Sequence, residues 1–83
     1  MEQLLAYEER LRRKIADIEA EKAQIVIQKR ETRDKLVNEY LHPIERASLN
    51  ELYAALIKAE ELRDTIILQY RELMRYNRLM TET

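Results

Sequence analysis

The side chains that could carry reaction chemistry are few: one histidine, His42; one serine, Ser48; the neighbouring carboxylates Glu8 with Glu9 and Glu60 with Glu61; and the tyrosines Tyr7, Tyr40, Tyr53, Tyr70 and Tyr76. With a single imidazole, a metal site or a nucleophile-histidine-carboxylate triad would have to be built without a second one. His42 stands directly before Pro43, a place for capping a helix or facing solvent. Ser48 followed by Glu51 matches the S/T-x-x-E capping box, in which each side chain bonds the other residue's amide; this explains Ser48 better than a nucleophile with no base placed for it. Carboxylates adjacent in sequence point about 100° apart on a helix and do not share a site. The chain has no cysteine, hence no thiolate nucleophile, no thiol metal ligand and no disulfide framework, and it fits a reducing compartment. The expectation is a protein without catalysis, with no catalytic residue, no metal ligand and no cofactor.

Tyrosine offers apolar area with a polar tip, which suits half-buried and interfacial positions. Tyr40 and Tyr53, near the middle of the chain, are expected to pack within the fold. Tyr70 and Tyr76 accompany Met74 and Met80, whose flexible side chains adapt to a partner's surface, and are the better interface candidates.

The elements that position these groups are helices. There is no glycine and one proline in 83 residues rich in leucine, alanine, glutamate, lysine and arginine, so Pro43 is the one punctuation mark between two long helical stretches. The sequence predicts an all-α fold, a coiled-coil-like antiparallel two-helix hairpin with a proline-containing connector, forming one domain over 1–83. Helix one is expected over about 3–40, ending near Asn38 to Leu41 because the residue before a proline is pushed out of the α region. The connector is expected over 41–48, with 43–47 a turn or short helical lead-in, and helix two over about 49–80. At about 1.5 Å per residue the two would run roughly 57 Å and 48 Å, a match for antiparallel neighbours.

In the first half Leu4, Leu11, Ile15, Ile18, Ile25 and Leu36 form one narrow stripe, with Lys22, Lys29 and Thr32 on or beside it. Ile25, Val26 and Ile27 point in different directions on a helix, so at least one is expected to meet something other than helix two. In the second half Leu52, Ala55, Leu56, Ala59, Leu62, Ile66, Leu73 and Met80 form the stripe expected to face helix one, the small Ala55 and Ala59 allowing close approach. Tyr53, Ile57, Ile67 and Met74 form a second, displaced line. Helix two is thus more apolar than one two-helix contact can bury, and the surplus is expected to turn outward. Ile15 and Ile18 should lie near Ile66 to Leu73, and Leu36 near Leu52 and Leu56.

A hairpin of this length buries little apolar surface, so a partner or self-association is expected. Lysine and arginine number 15 against 16 acids with the signs interspersed, which gives no electrostatic footprint for nucleic acid. The run Arg10, Arg12, Arg13 and Lys14 is balanced by Glu8 and Glu9 through i,i+4 pairs. The first residues run straight into charge, and no stretch approaches the ~20 apolar residues of a membrane span, so a soluble, unexported protein is expected.

From Pro43 onward the sequence resembles the small type III secretion needle co-chaperones, the YscE/SsaE/EscE-like family. The likeness is carried by a proline-bearing connector, the run Leu52-Tyr53-Ala54-Ala55-Leu56-Ile57-Lys58-Ala59-Glu60-Glu61, then Thr65-Ile66-Ile67-Leu68 and Tyr70-Arg71. It covers about 30 residues well and helix one in length and charge pattern. The chain departs from the family pattern in its longer tail, 74–83, and its tight His42-Pro43 turn. The resemblance implies a cytoplasmic helical hairpin that pairs with a small chaperone of TPR-like fold and, through it, keeps the needle subunit monomeric before export. A needle subunit polymerises through an amphipathic helix, so such a complex must bury that helix in an apolar groove. Leu11, Ile15 and Ile18 of helix one with Leu62, Ile66, Tyr70, Leu73 and Met74 of helix two are the expected core and partner-contact residues, the two roles not separable at this level. The alternative is a homo-oligomeric assembly or scaffold hairpin, dimeric or tetrameric, whose surplus faces pair in a four-helix bundle.

Overall fold

The computed structural model describes residues 2–82. Its elements are α1, Glu2–Asn38, and α2, Pro43–Glu82, which pack side by side into a rod of 62 × 14 × 14 Å. The fold is the expected all-α hairpin.

The connector is shorter than the sequence suggests, and α2 starts earlier. Residues 39–42 link the helices, and 43–48 already belong to α2. Proline's fixed φ and missing N–H suit the first helical position, and nothing in Ile44-Glu45-Arg46-Ala47 breaks a helix. The cap comes from His42: its Nδ1 accepts from the Ile44 amide at 3.3 Å, and its carbonyl accepts the first helical bond from the Arg46 amide at 2.9 Å. Ser48 and Glu51 therefore lie inside α2 and close no capping box. Arg46 Nη1 also reaches across the turn to donate to the Leu36 carbonyl at 3.1 Å, satisfying one of the acceptors that the end of α1 leaves open.

Inward residues on α1 are Leu4, Glu8, Leu11, Ile15, Ile18, Lys22, Ile25, Lys29, Thr32 and Leu36, each buried or half-buried. Those on α2 are Leu49, Tyr53, Leu56, Glu60, Arg63, Ile67, Tyr70, Met74, Asn77 and Thr81. Steps of four and three alternate along both sets, the spacing of a left-handed coiled-coil seam. The apolar centre of this seam lies toward the free ends, where Leu11, Ile15, Ile67 and Met74 form one buried cluster with Tyr7, Ile18 and Tyr70 packed against it. Ile15 and Ile18 thus meet the 66–73 region of α2, as their positions along antiparallel helices require. Of the β-branched triplet, Ile25 is buried, Val26 half-buried and Ile27 exposed.

The rotation of α2 differs from the expected one. Leu52, Ala55, Leu62, Leu73 and Met80 are exposed, and of the predicted inward stripe Leu56 alone is buried, with Ala59 and Ile66 half-buried. The line read as displaced is the one that faces α1: Ile67 and Met74 are buried, Tyr53 and Ile57 half-buried. Polar partners set this rotation. Glu60, Arg63 and Asn77 occupy inward positions and find Lys29, Glu21 and the Leu4 carbonyl on α1. All three are polar and break the apolar stripe at these positions. Tyr40 is fully exposed rather than packed at the turn, because it lies in the connector beyond the end of α1.

Candidate functional site

The hairpin is thin. No described side chain is fully buried, and the buried apolar residues are Leu11, Ile15, Ile25, Leu56, Ile67 and Met74. Against this small interior, α2 carries a second apolar line on its outside. Leu52, Ala55, Ala59, Leu62, Ile66, Gln69, Leu73 and Tyr76 again step by three and four, displaced about a third of the way round the helix from the inner seam. Leu62 is 57% exposed, Leu73 45% and Tyr76 70%. Such a helix has two seams, one closed within the chain and one open.

Cross-helix charges fix the inner seam and so set where the outer one points. Lys29 Nζ donates to both carboxylate oxygens of Glu60, at 2.8 and 3.0 Å. Asn77 Nδ2 donates to the Leu4 carbonyl at 2.8 Å. Arg63 Nε stands 3.3 Å from Glu21 Oε2, an ion pair that is not a hydrogen bond, while its Nη1 donates to the Ala59 carbonyl. Arg71 Nη2 reaches Glu19 at 3.0 Å, and Arg78 Nε reaches Glu8 at 2.8 Å, with Arg12 also on Glu8. The Arg78 hydrogen bond, aided by the Arg12 and Arg78 charges against a desolvation cost, holds the Glu8 carboxyl below its usual range. The hydrogen bond from Lys22 to Asp64, with the nearby Glu60 and Glu19, raises the Lys22 ammonium above its usual value.

A groove of about 650 Å³ runs between the helices near their free ends, lined by Arg12, Ala16, Glu19, Arg71, Arg75, Arg78, Leu79 and Glu82 together with Ile15 and Met74 of the core. Three of its four arginines, Arg12, Arg71 and Arg78, are already held by Glu8 and Glu19. Among the described residues no group of three or more His, Cys, Asp or Glu side chains could hold a metal ion, and no helix is long and apolar enough to cross a membrane.

The structure sorts the predicted partner-contact residues. Leu11, Ile15, Ile18, Tyr70 and Met74 belong to the hairpin's own core cluster. Leu62 and Leu73 stand on the outer seam, with Ile66 half-buried beside them. Ala55, Ala59 and Gln69 complete that seam between its large residues, and only their shared spacing with Leu52, Leu62 and Leu73 gives them away in sequence. Tyr76 lies outward, as an interface candidate should, whereas Tyr70 packs inward.

No protein-family model, no curated protein and no solved structure matches this chain.

Proposed function

We propose that this protein is a non-catalytic helical adaptor that acts as a type III secretion co-chaperone, pairing in the cytoplasm with a small TPR-like chaperone that keeps the needle subunit monomeric. The observation that carries the adaptor role is the open seam on α2, apolar from Leu52 to Tyr76 except at Gln69, on a rod too thin to cover it. The choice of partner rests on the resemblance of 43–71 to the needle co-chaperones. A TPR-like protein is a stack of helices, and an open helical seam is what such a stack accepts as one more layer. The hairpin then stabilises its partner, and is itself stabilised by about 2.7 kcal/mol when free partner is a hundredfold above Kd.

Co-expression with the TPR-like chaperone and needle subunit encoded nearby, followed by size-exclusion chromatography with light scattering, tests this. A 1:1:1 complex that Leu73→Asp abolishes is the expected result. Elution apart from both proteins, or a complex indifferent to Leu73→Asp and Leu62→Asp, overturns it. The homo-oligomeric scaffold reading draws on the same seam, and the same column separates it as a self-associating species without affinity for either protein.

A further inference from the structure

We infer that in the isolated protein a second copy of this chain covers the outer seam, its α2 running antiparallel to the first about a two-fold axis between Leu62 and Ile66. This concerns the protein alone and holds or fails whether or not a TPR-like partner exists.

The first ground is spacing. Between Leu52 and Tyr76 the outer residues follow the same alternation of three and four as the inner seam that already packs a helix, over a length of about 36 Å. A seam with that repeat is complementary to another helix seam rather than to a flat or globular surface.

The second ground is taper. Toward the connector the seam holds small residues, Ala55 and Ala59; toward the chain end it holds Leu73 and Tyr76. Antiparallel self-pairing sets Ala55 against Leu73 of the partner subunit, Leu52 against the partner's Tyr76, and Leu62 against the partner's Ile66 across the axis. Each small residue meets a large one and the seam closes on itself. Parallel pairing would put alanine against alanine, leaving a void, and tyrosine against tyrosine.

The third ground is charge. Lys58 and Glu72 flank the seam on one side, both are exposed, and neither forms an ion pair among the described residues. In the antiparallel pair Lys58 lies against the partner's Glu72, twice by symmetry. In a parallel pair two residues on the same side of the seam fall on opposite sides of the interface and do not meet, so Lys58 and Glu72 complement each other only in the antiparallel arrangement. The product is a four-helix bundle in which the two α2 helices pack on each other and each α1 stays on its own α2.

Sedimentation equilibrium on the full chain, with far-UV circular dichroism at the same concentrations, tests the pairing through Lys58→Glu and Glu72→Lys. The wild type is expected to be a dimer. Each single variant, which places like charges together twice, is expected to raise Kd about tenfold with helicity of the hairpin unchanged. Mixing the two single variants in equal amounts should restore wild-type association as a heterodimer seen by native mass spectrometry, because every facing pair is then of opposite sign. A wild type that stays monomeric overturns the inference, including one that binds only a heterologous helix. So do single variants that associate as well as wild type, or a mixture that associates no better than its components.

Discussion

On the inner seam of α2, Glu60, Arg63 and Asn77 interrupt the apolar residues; on the outer seam Gln69 alone does so between Leu52 and Tyr76. The closed surface is thus the more polar of the two. Only one alignment of the helices brings Glu60 to Lys29, Arg63 to Glu21 and Asn77 to the Leu4 carbonyl, so the inner polar residues specify register and rotation at some cost in apolar burial. The outer seam lacks such keys along its centre and relies on shape and flanking charge, which leaves it free to meet a chain folded separately.

The largest effect that would break this contrast comes from truncating one residue on each seam. Ile67→Ala removes a side chain 6% exposed in the core cluster and is expected to cost about 2–5 kcal/mol, enough to unfold much of so thin a hairpin. Leu73→Ala, at a site 45% exposed, is expected to change stability by less than about 0.5 kcal/mol at concentrations too low for association. Urea denaturation of both variants checks the pair, and equal losses would erase the distinction between the seams.

A smaller effect sharpens the role of polarity inside. Asn77→Ala deletes a buried amide and its bond to the Leu4 carbonyl, for an expected loss of about 1–2 kcal/mol by the same denaturation. Asn77→Leu is expected to hold stability while loosening register, seen as exchange broadening of the α1 amide signals in NMR spectra. Smaller again is the Lys29 and Glu60 pair, whose side chains are 29% and 17% exposed. A double-mutant cycle with Lys29→Met and Glu60→Gln should return a coupling of about 0.5–1 kcal/mol.

The smallest effect is on pH dependence. Since the Glu8 pKa is lowered on folding, its contribution is complete above the unfolded value near 4.5 and is lost as pH falls through the native one. The stability difference between wild type and Glu8→Gln should therefore shrink as pH is taken down from 7 through this range. Lys22 behaves in the opposite sense: its pKa is raised, so its contribution is present below 10.5 and fades as pH climbs beyond that value. Urea midpoints across pH for wild type, Glu8→Gln and Lys22→Met provide the check.

Much of the fold is legible in the residues. Pro43, the absence of glycine and the α1 stripe are enough to give two helices and the inward side of the first, since Leu4, Leu11, Ile15, Ile18, Ile25 and Leu36 all turn inward. The boundary of α2 is not, because a capping-box pattern at Ser48 outweighs a histidine whose ring can cap as well as any hydroxyl. The rotation of α2 is not legible either. Two apolar lines with the same repeat compete there, and the deciding residues, Glu60, Arg63 and Asn77, read as surface until their partners on α1 are known. The outer seam is therefore legible as a set of residues but reads as the inward face of α2.

Because the chain has no cysteine, engineered pairs report on that side without background. Leu11→Cys combined with Met74→Cys joins two members of the buried cluster, while Leu11→Cys combined with Leu73→Cys moves one thiol about 100° round α2 onto the outer seam. Under mild oxidation, non-reducing electrophoresis and intact mass should show the first pair closing within one chain. The second should fail to close internally, leaving both thiols reduced. Internal closure of the second pair without the first would reverse the two seams and contradict the assignment of the open face.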